Sequence, residues 1–138
     1  PVFTTYLGSL EFDEAIDVLK VSDYFLVTGV TESPDFPTKL PIQNKIKGGK
    51  DIFITSLGIN GDTLLQSTFY GGNGDDIVVS VKKDKNNYLF FTAQTNSSDI
   101  QTVAGPPNSN YKGNIDILLF RYFQVGRLLI YQPIWEEY

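Results

Sequence analysis

The stretch Thr68-Phe69-Tyr70-Gly71-Gly72-Asn73-Gly74-Asp75-Asp76 recurs, loosened, as Thr5-Tyr6-Leu7-Gly8-Ser9-Leu10-Glu11-Phe12-Asp13, 63 positions earlier. An internal repeat constrains a fold more than any single motif, because every copy must build the same supersecondary unit. Two further anchors follow the same spacing. Val27-Thr28-Gly29-Val30-Thr31 and its Ser/Pro-rich tail, with Asp35 and Thr38, match residues 91–102, placing Thr28 on Thr92, Asp35 on Asp99 and Thr38 on Thr102. Lys47-Gly48-Gly49-Lys50-Asp51-Ile52-Phe53-Ile54 matches residues 112–119, and Gly61 matches Gly126.

Each copy reads as four short strands. Ile16 and Val18 alternate with Asp17, the period of a half-buried strand, so the first strand is placed at 14–21, with Val78-Val79-Ser80-Val81 in the second copy. The second strand is placed at 24–31 and 88–95, the third at 51–57 and 116–122, and the fourth at 63–70 and 127–135. Ser22-Asp23 and Asp84-Lys85-Asn86-Asn87 suit the first hairpin turns, since Asn and Asp tolerate positive φ; Asn60-Gly61 marks the last turn. One helical turn at 39–46 is the only helix expected. The fold class is therefore all-β: two four-stranded antiparallel blade-like repeats, about 9–72 and about 73–136, with residues 1–8 as a surplus outer strand of a preceding or neighbouring unit.

The order Thr-aromatic-x-Gly (Thr5 to Gly8, Thr68 to Gly72), then Gly74-Asp75-Asp76, then Val27-Thr28-Gly29 through Asp35-Phe36-Pro37-Thr38, then Gly48-Gly49-Lys50-Asp51-Ile52-Phe53-Ile54, resembles the SBBP family of bacterial β-propeller repeats. The second copy departs from that pattern at Ala93, at Ile100-Gln101 and at Pro133-Ile134-Trp135-Glu136. The resemblance implies an extracellular or cell-surface propeller protein and carries no catalytic residues. Propeller rings hold about 4 to 8 blades, so two units do not close one. Three arrangements follow. The chain is part of a longer array of adjoining repeats, several copies assemble, or the two sheets pack as a sandwich. An orphan strand at Thr4, Thr5, Tyr6 and Leu7, with Trp135 at the far end, invites pairing with a neighbour.

Composition narrows the chemistry. The 138 residues include no His and no Cys, which excludes thiol nucleophiles, Ser-His-Asp triads and His- or Cys-ligated metals within them. A net charge of −5 without a basic cluster argues against nucleic acid, and no apolar run reaches the ~20 residues of a membrane helix. The absence of Met and the start at Pro1 suggest a processed or excised product.

The candidate sites are weighed against structural readings. Gly71-Gly72-Asn73-Gly74-Asp75-Asp76-Ile77 fits a calcium nonapeptide, but it occurs once, and such motifs bind ions between tandem turns. Asp75, Asp76 and Asp13 are thus either weak calcium ligands or parts of a turn between units. Asp35 and Asp99 are either ligand contacts or Asx-turn residues. A glycosidase needs two carboxylates about 5 to 9.5 Å apart, and no spacing among the acidic residues selects a pair. Asn96-Ser97-Ser98 is a glycosylation sequon in an expected exposed loop. Tyr6, Tyr70 and Trp135 suit packing against a neighbouring unit or stacking on glycans. The expectation is a non-enzymatic, cofactor-free interaction module whose partners are itself or adjoining repeats, with a glycan-binding module as the alternative.

Overall fold

The computed structural model describes residues 3–100, 111–125 and 128–131. It is all-β, with two four-stranded antiparallel sheets and no helix among the described residues. Strands β1 (Asp13–Val21), β2 (Tyr24–Thr31), β3 (Asp51–Gly58) and β4 (Leu64–Tyr70) form the first sheet in that order. Strands β5 (Asp76–Lys83), β6 (Tyr88–Thr95), β7 (Asp116–Val125) and β8 (Leu128–Tyr131) form the second. The repeat extends to irregularities. The β1–β2 register slips between Ala15 and Asp17, and the β5–β6 register slips between Val78 and Ser80, 63 positions later. Both first hairpins turn through a residue of positive φ, Ser22 at 49° and Asn87 at 67°.

The sheets stack face to face around one core. The first sheet contributes Tyr24, Leu26, Ile52 and Ile54; the second contributes Val81, Leu89, Phe91, Phe120 and Tyr122. Tyr70 joins from β4, its ring stacked on Phe120 with centroids 4.1 Å apart. Fully burying one such side chain contributes roughly 1.5–3 kcal/mol. The two contacting faces are not equivalent under the repeat. Leu26 corresponds to Phe90, and neighbours on a strand alternate sides, so Phe90 lies on the face of β6 opposite Phe91. The sheets therefore pack face to face, as in the sandwich arrangement, but through non-matching faces, head to tail, with β5 against β1, β2 and β3 and β8 against β4.

A smaller cluster covers part of the first sheet's other face, where Phe36, Phe53 and Phe69 pack with Leu7, Val27 and Ile46. The Phe36 and Phe53 rings stack at 4.6 Å. Here the change of Gly29 to Ala93 between copies has a packing cause. A methyl on Gly29 would collide with the Glu14 carbonyl and lie 2.7 Å from the Phe53 ring, whereas at the equivalent pairing Ala93 faces the smaller Leu118.

One expectation is corrected. Residues 39–46 form no helical turn; they run as a strap along β4, with Lys39 bridging Ser67 and Gln43 bridging Phe69. The strap supplies the outer edge of the sheet with hydrogen bonds, which outweighs any local helical tendency. Residues 3–8, expected to pair with a preceding or neighbouring unit, meet no sheet edge among the described residues. They lie across the first sheet's outer face, with Leu7 in the Phe53 cluster and the Phe3 ring 6.1 Å from Phe25.

Candidate functional site: the carboxylate junctions and the outer sheet faces

Each unit begins on an aspartate whose oxygens close the preceding loop. Asp13 Oδ2 accepts the Ser9 N–H at 2.6 Å and the Ser33 hydroxyl at 3.2 Å, while Oδ1 accepts the Thr31 hydroxyl at 2.6 Å. Asp76 Oδ2 accepts the Gly72 N–H and the Ser97 hydroxyl, both at 2.7 Å. The supporting turns repeat as well, since Ser33 N–H donates to Thr31 Oγ1 and Ser97 N–H donates to Thr95 Oγ1. These carboxylates face N–H and O–H donors, the geometry of loop closure. Among the described residues no three acidic side chains gather as ligands around one point.

The other sequence-level candidates join the same junction. Asp75 Oδ1 accepts the Lys50 N–H at 3.1 Å, and the Asp75 N–H donates to Asn96 Oδ1 at 2.6 Å. Asn96 is exposed, with its side-chain oxygen in that bond. Asp99 Oδ1 accepts the Asn73 N–H at 2.7 Å, whereas Asp35 sits exposed in the turn closed by Phe36 N–H donating to Ser33 O. The calcium-like loop is thus tied to the Ser97–Asp99 loop by side-chain acceptors. Trp135 lies outside the described residues.

Sequence spacing does not reveal that Asp51 joins Asp76. Both are fully buried and flank Gly71, where a methyl would lie 2.6 Å from Asp51 Cγ and 2.9 Å from Asp76 Oδ2. Asp51 Oδ2 accepts from Lys47 N–H and Gln43 Nε2, and Oδ1 accepts from Gly48 N–H. Burial pushes the Asp51 carboxyl above its usual range; these donors oppose that, and the Asp76 charge adds to it. The available signal is two glycine doublets, Gly48-Gly49 and Gly71-Gly72, because the two backbones approach too closely for side chains. A methyl on Gly48 would collide with the Gly74 carbonyl.

The outer faces carry the remaining candidates. On the first sheet, a groove of about 430 Å³ is lined by Phe3, Leu7, Val18, Phe25, Val27 and Leu57, with Asp13 and Glu14 at one side. On the second sheet, Ile117 is 84% exposed and Leu119 54% exposed, beside the half-buried Tyr88 and Phe90. Tyr6 is wholly exposed, at 101%. Its repeat counterpart Phe69 is buried against Phe36, whereas Tyr70, the counterpart of Leu7, is stacked on the second sheet. Comparison with protein-family models, with curated proteins and with solved structures gives no match for this chain.

Proposed function

We propose that the chain is a non-enzymatic structural or interaction module that works by β-sheet assembly, with further copies of itself or with adjoining repeats of the same kind. The observation that carries this is the head-to-tail stack. Its two ends are unlike each other, and each carries an apolar face, only partly covered, of the kind that is buried in the middle. A stack of that form has no natural stop at two units. Residues 3–8, including the candidate strand Thr4 to Leu7, lie across the first sheet's outer face, with Leu7 on the Phe53 cluster as Tyr70 lies on Phe120. There they stand ready to pair with the sheet of a docked unit. An extracellular or cell-surface setting is part of this reading on the strength of the sequence's SBBP resemblance alone.

The carboxylates support a non-enzymatic reading. A general acid or nucleophile must reach substrate. Asp51 and Asp76 are sealed from solvent: both Asp51 oxygens and Asp76 Oδ2 accept from backbone N–H groups, Gln43 or Ser97, while Asp76 Oδ1 is buried without a partner among the described residues. Sedimentation velocity of the chain across micromolar concentrations tests the proposal. Concentration-dependent growth beyond one chain is expected; a single monomeric boundary throughout would overturn it.

A further inference from the structure

Resting on that assembly reading, we infer which surfaces meet: the outer face of the second sheet on one chain docks into the groove of the first sheet on a second copy, head to tail. The occupant is identified by the molecule's own interior. Groove residues Val18, Phe25, Val27 and Leu57 have Val81, Leu89, Phe91 and Tyr122 as their repeat counterparts. All four counterparts are buried in the inter-sheet core. On the opposite side, Tyr88, Phe90, Ile117 and Leu119 have Tyr24, Leu26, Ile52 and Ile54 as counterparts, and those four are buried in the same core. Each outer-face set is thus one half of a contact that the chain already makes once internally.

The two faces also keep compatible chemistry. The docking face retains Tyr88, Thr92 and Ile117, identical to Tyr24, Thr28 and Ile52 of the internal contact. Glu14 lies in the groove and Lys82 on the outer side of β5, opposite in sign. Side chains on the two surfaces differ, so the contact is heterologous: it uses one face of each copy, leaves one face free at each end, and either closes a ring or extends.

The test uses two charge-insertion variants, each at an exposed position. Ile117→Lys removes the docking face and keeps the groove, and Val18→Lys does the reverse. Each alone is expected to self-associate at least a hundred-fold more weakly than the unsubstituted chain in sedimentation. An equimolar mixture is expected to recover a complex that stops at two copies, because one intact groove meets one intact face. Circular dichroism and melting confirm folding, and Leu119→Lys with Leu57→Glu provides a second pair if either variant unfolds. If the unsubstituted chain associates and both variants associate equally well, assembly uses another surface and this inference fails alone. If folded variants do not complement each other, the contact is not head to tail. If the unsubstituted chain stays monomeric, the assembly reading fails with it.

Discussion

Replacing Asp76 by Ala probes whether the junction is a structural closure. The substitution deprives two donors, the Gly72 N–H and the Ser97 hydroxyl, of their acceptor at 2.7 Å, and Gly72 and Ser97 are both buried. Leaving a buried donor unsatisfied costs about 1–3 kcal/mol, so the two together cost about 2–6 kcal/mol. Removing the Asp76 charge relieves its repulsion of Asp51 and returns part of that cost, leaving a net loss of about 2–4 kcal/mol. At about 3 °C per kcal/mol for a domain of this size, the melting temperature should fall by roughly 6–12 °C. Asp13→Ala makes the equivalent change in the first unit. Water reaches the exposed Ser9 N–H, but the hydroxyls of the buried Thr31 and Ser33 also lose their acceptor, so about 1–3 kcal/mol is expected. Chemical denaturation of both variants, followed by circular dichroism, measures the losses. A loss below about 1 kcal/mol for Asp76→Ala would refute the claim that buried hydrogen bonds at this junction hold the two units together.

Two further predictions follow from the same structure. The folded chain holds the Asp51 proton more tightly than the unfolded chain does, so this group's stabilisation is complete below the ordinary carboxylate range and is lost as pH rises through the raised folded value. The stability of the unsubstituted chain relative to Asp51→Asn should therefore increase as pH falls from about 7 to about 4; urea titrations at several pH values would show the opposite slope if the donors on Asp51 outweighed its burial. Gly29→Ala should cost about 3 kcal/mol, because the methyl meets the Glu14 carbonyl as well as Phe53. Combining it with Phe53→Leu, the pairing seen at Ala93 and Leu118, relieves only the ring contact and should recover at most about 1 kcal/mol; full recovery in a double-mutant cycle would contradict the backbone contact.

Strand positions are legible wherever a β-branched and aromatic run is bounded by turn residues. The second strand of each unit, 24–31 and 88–95, is read to the residue, because Ser22-Asp23 and Asn86-Asn87 mark its start and a Ser-rich loop its end. What escapes local pattern is set by tertiary contact. Nothing in residues 39–46 indicates a strap along β4, since its bonds go to Ser67, Thr68 and Phe69 about two dozen residues away. Residues 3–8 carry a strand pattern, but a strand exists only with a partner edge, and within this chain they meet a sheet face. The Asp51–Asp76 pair is hidden for the same reason: its members open different strands and meet only across Gly71. Stacking direction is legible only after the fact, once Leu26 and Phe91 are seen in one core while the repeat places their counterparts on opposite outer faces.

The most direct test of head-to-tail stacking exploits the absence of native cysteine. A spin label on Ile117→Cys of one preparation, mixed with isotope-labelled unsubstituted chain, reports which surface the label approaches on another molecule. Selective broadening of the Val18, Phe25, Val27 and Leu57 amides of the labelled-isotope chain is expected. Broadening centred on Phe90 and Leu119, or none at concentrations where the chain associates, would contradict it.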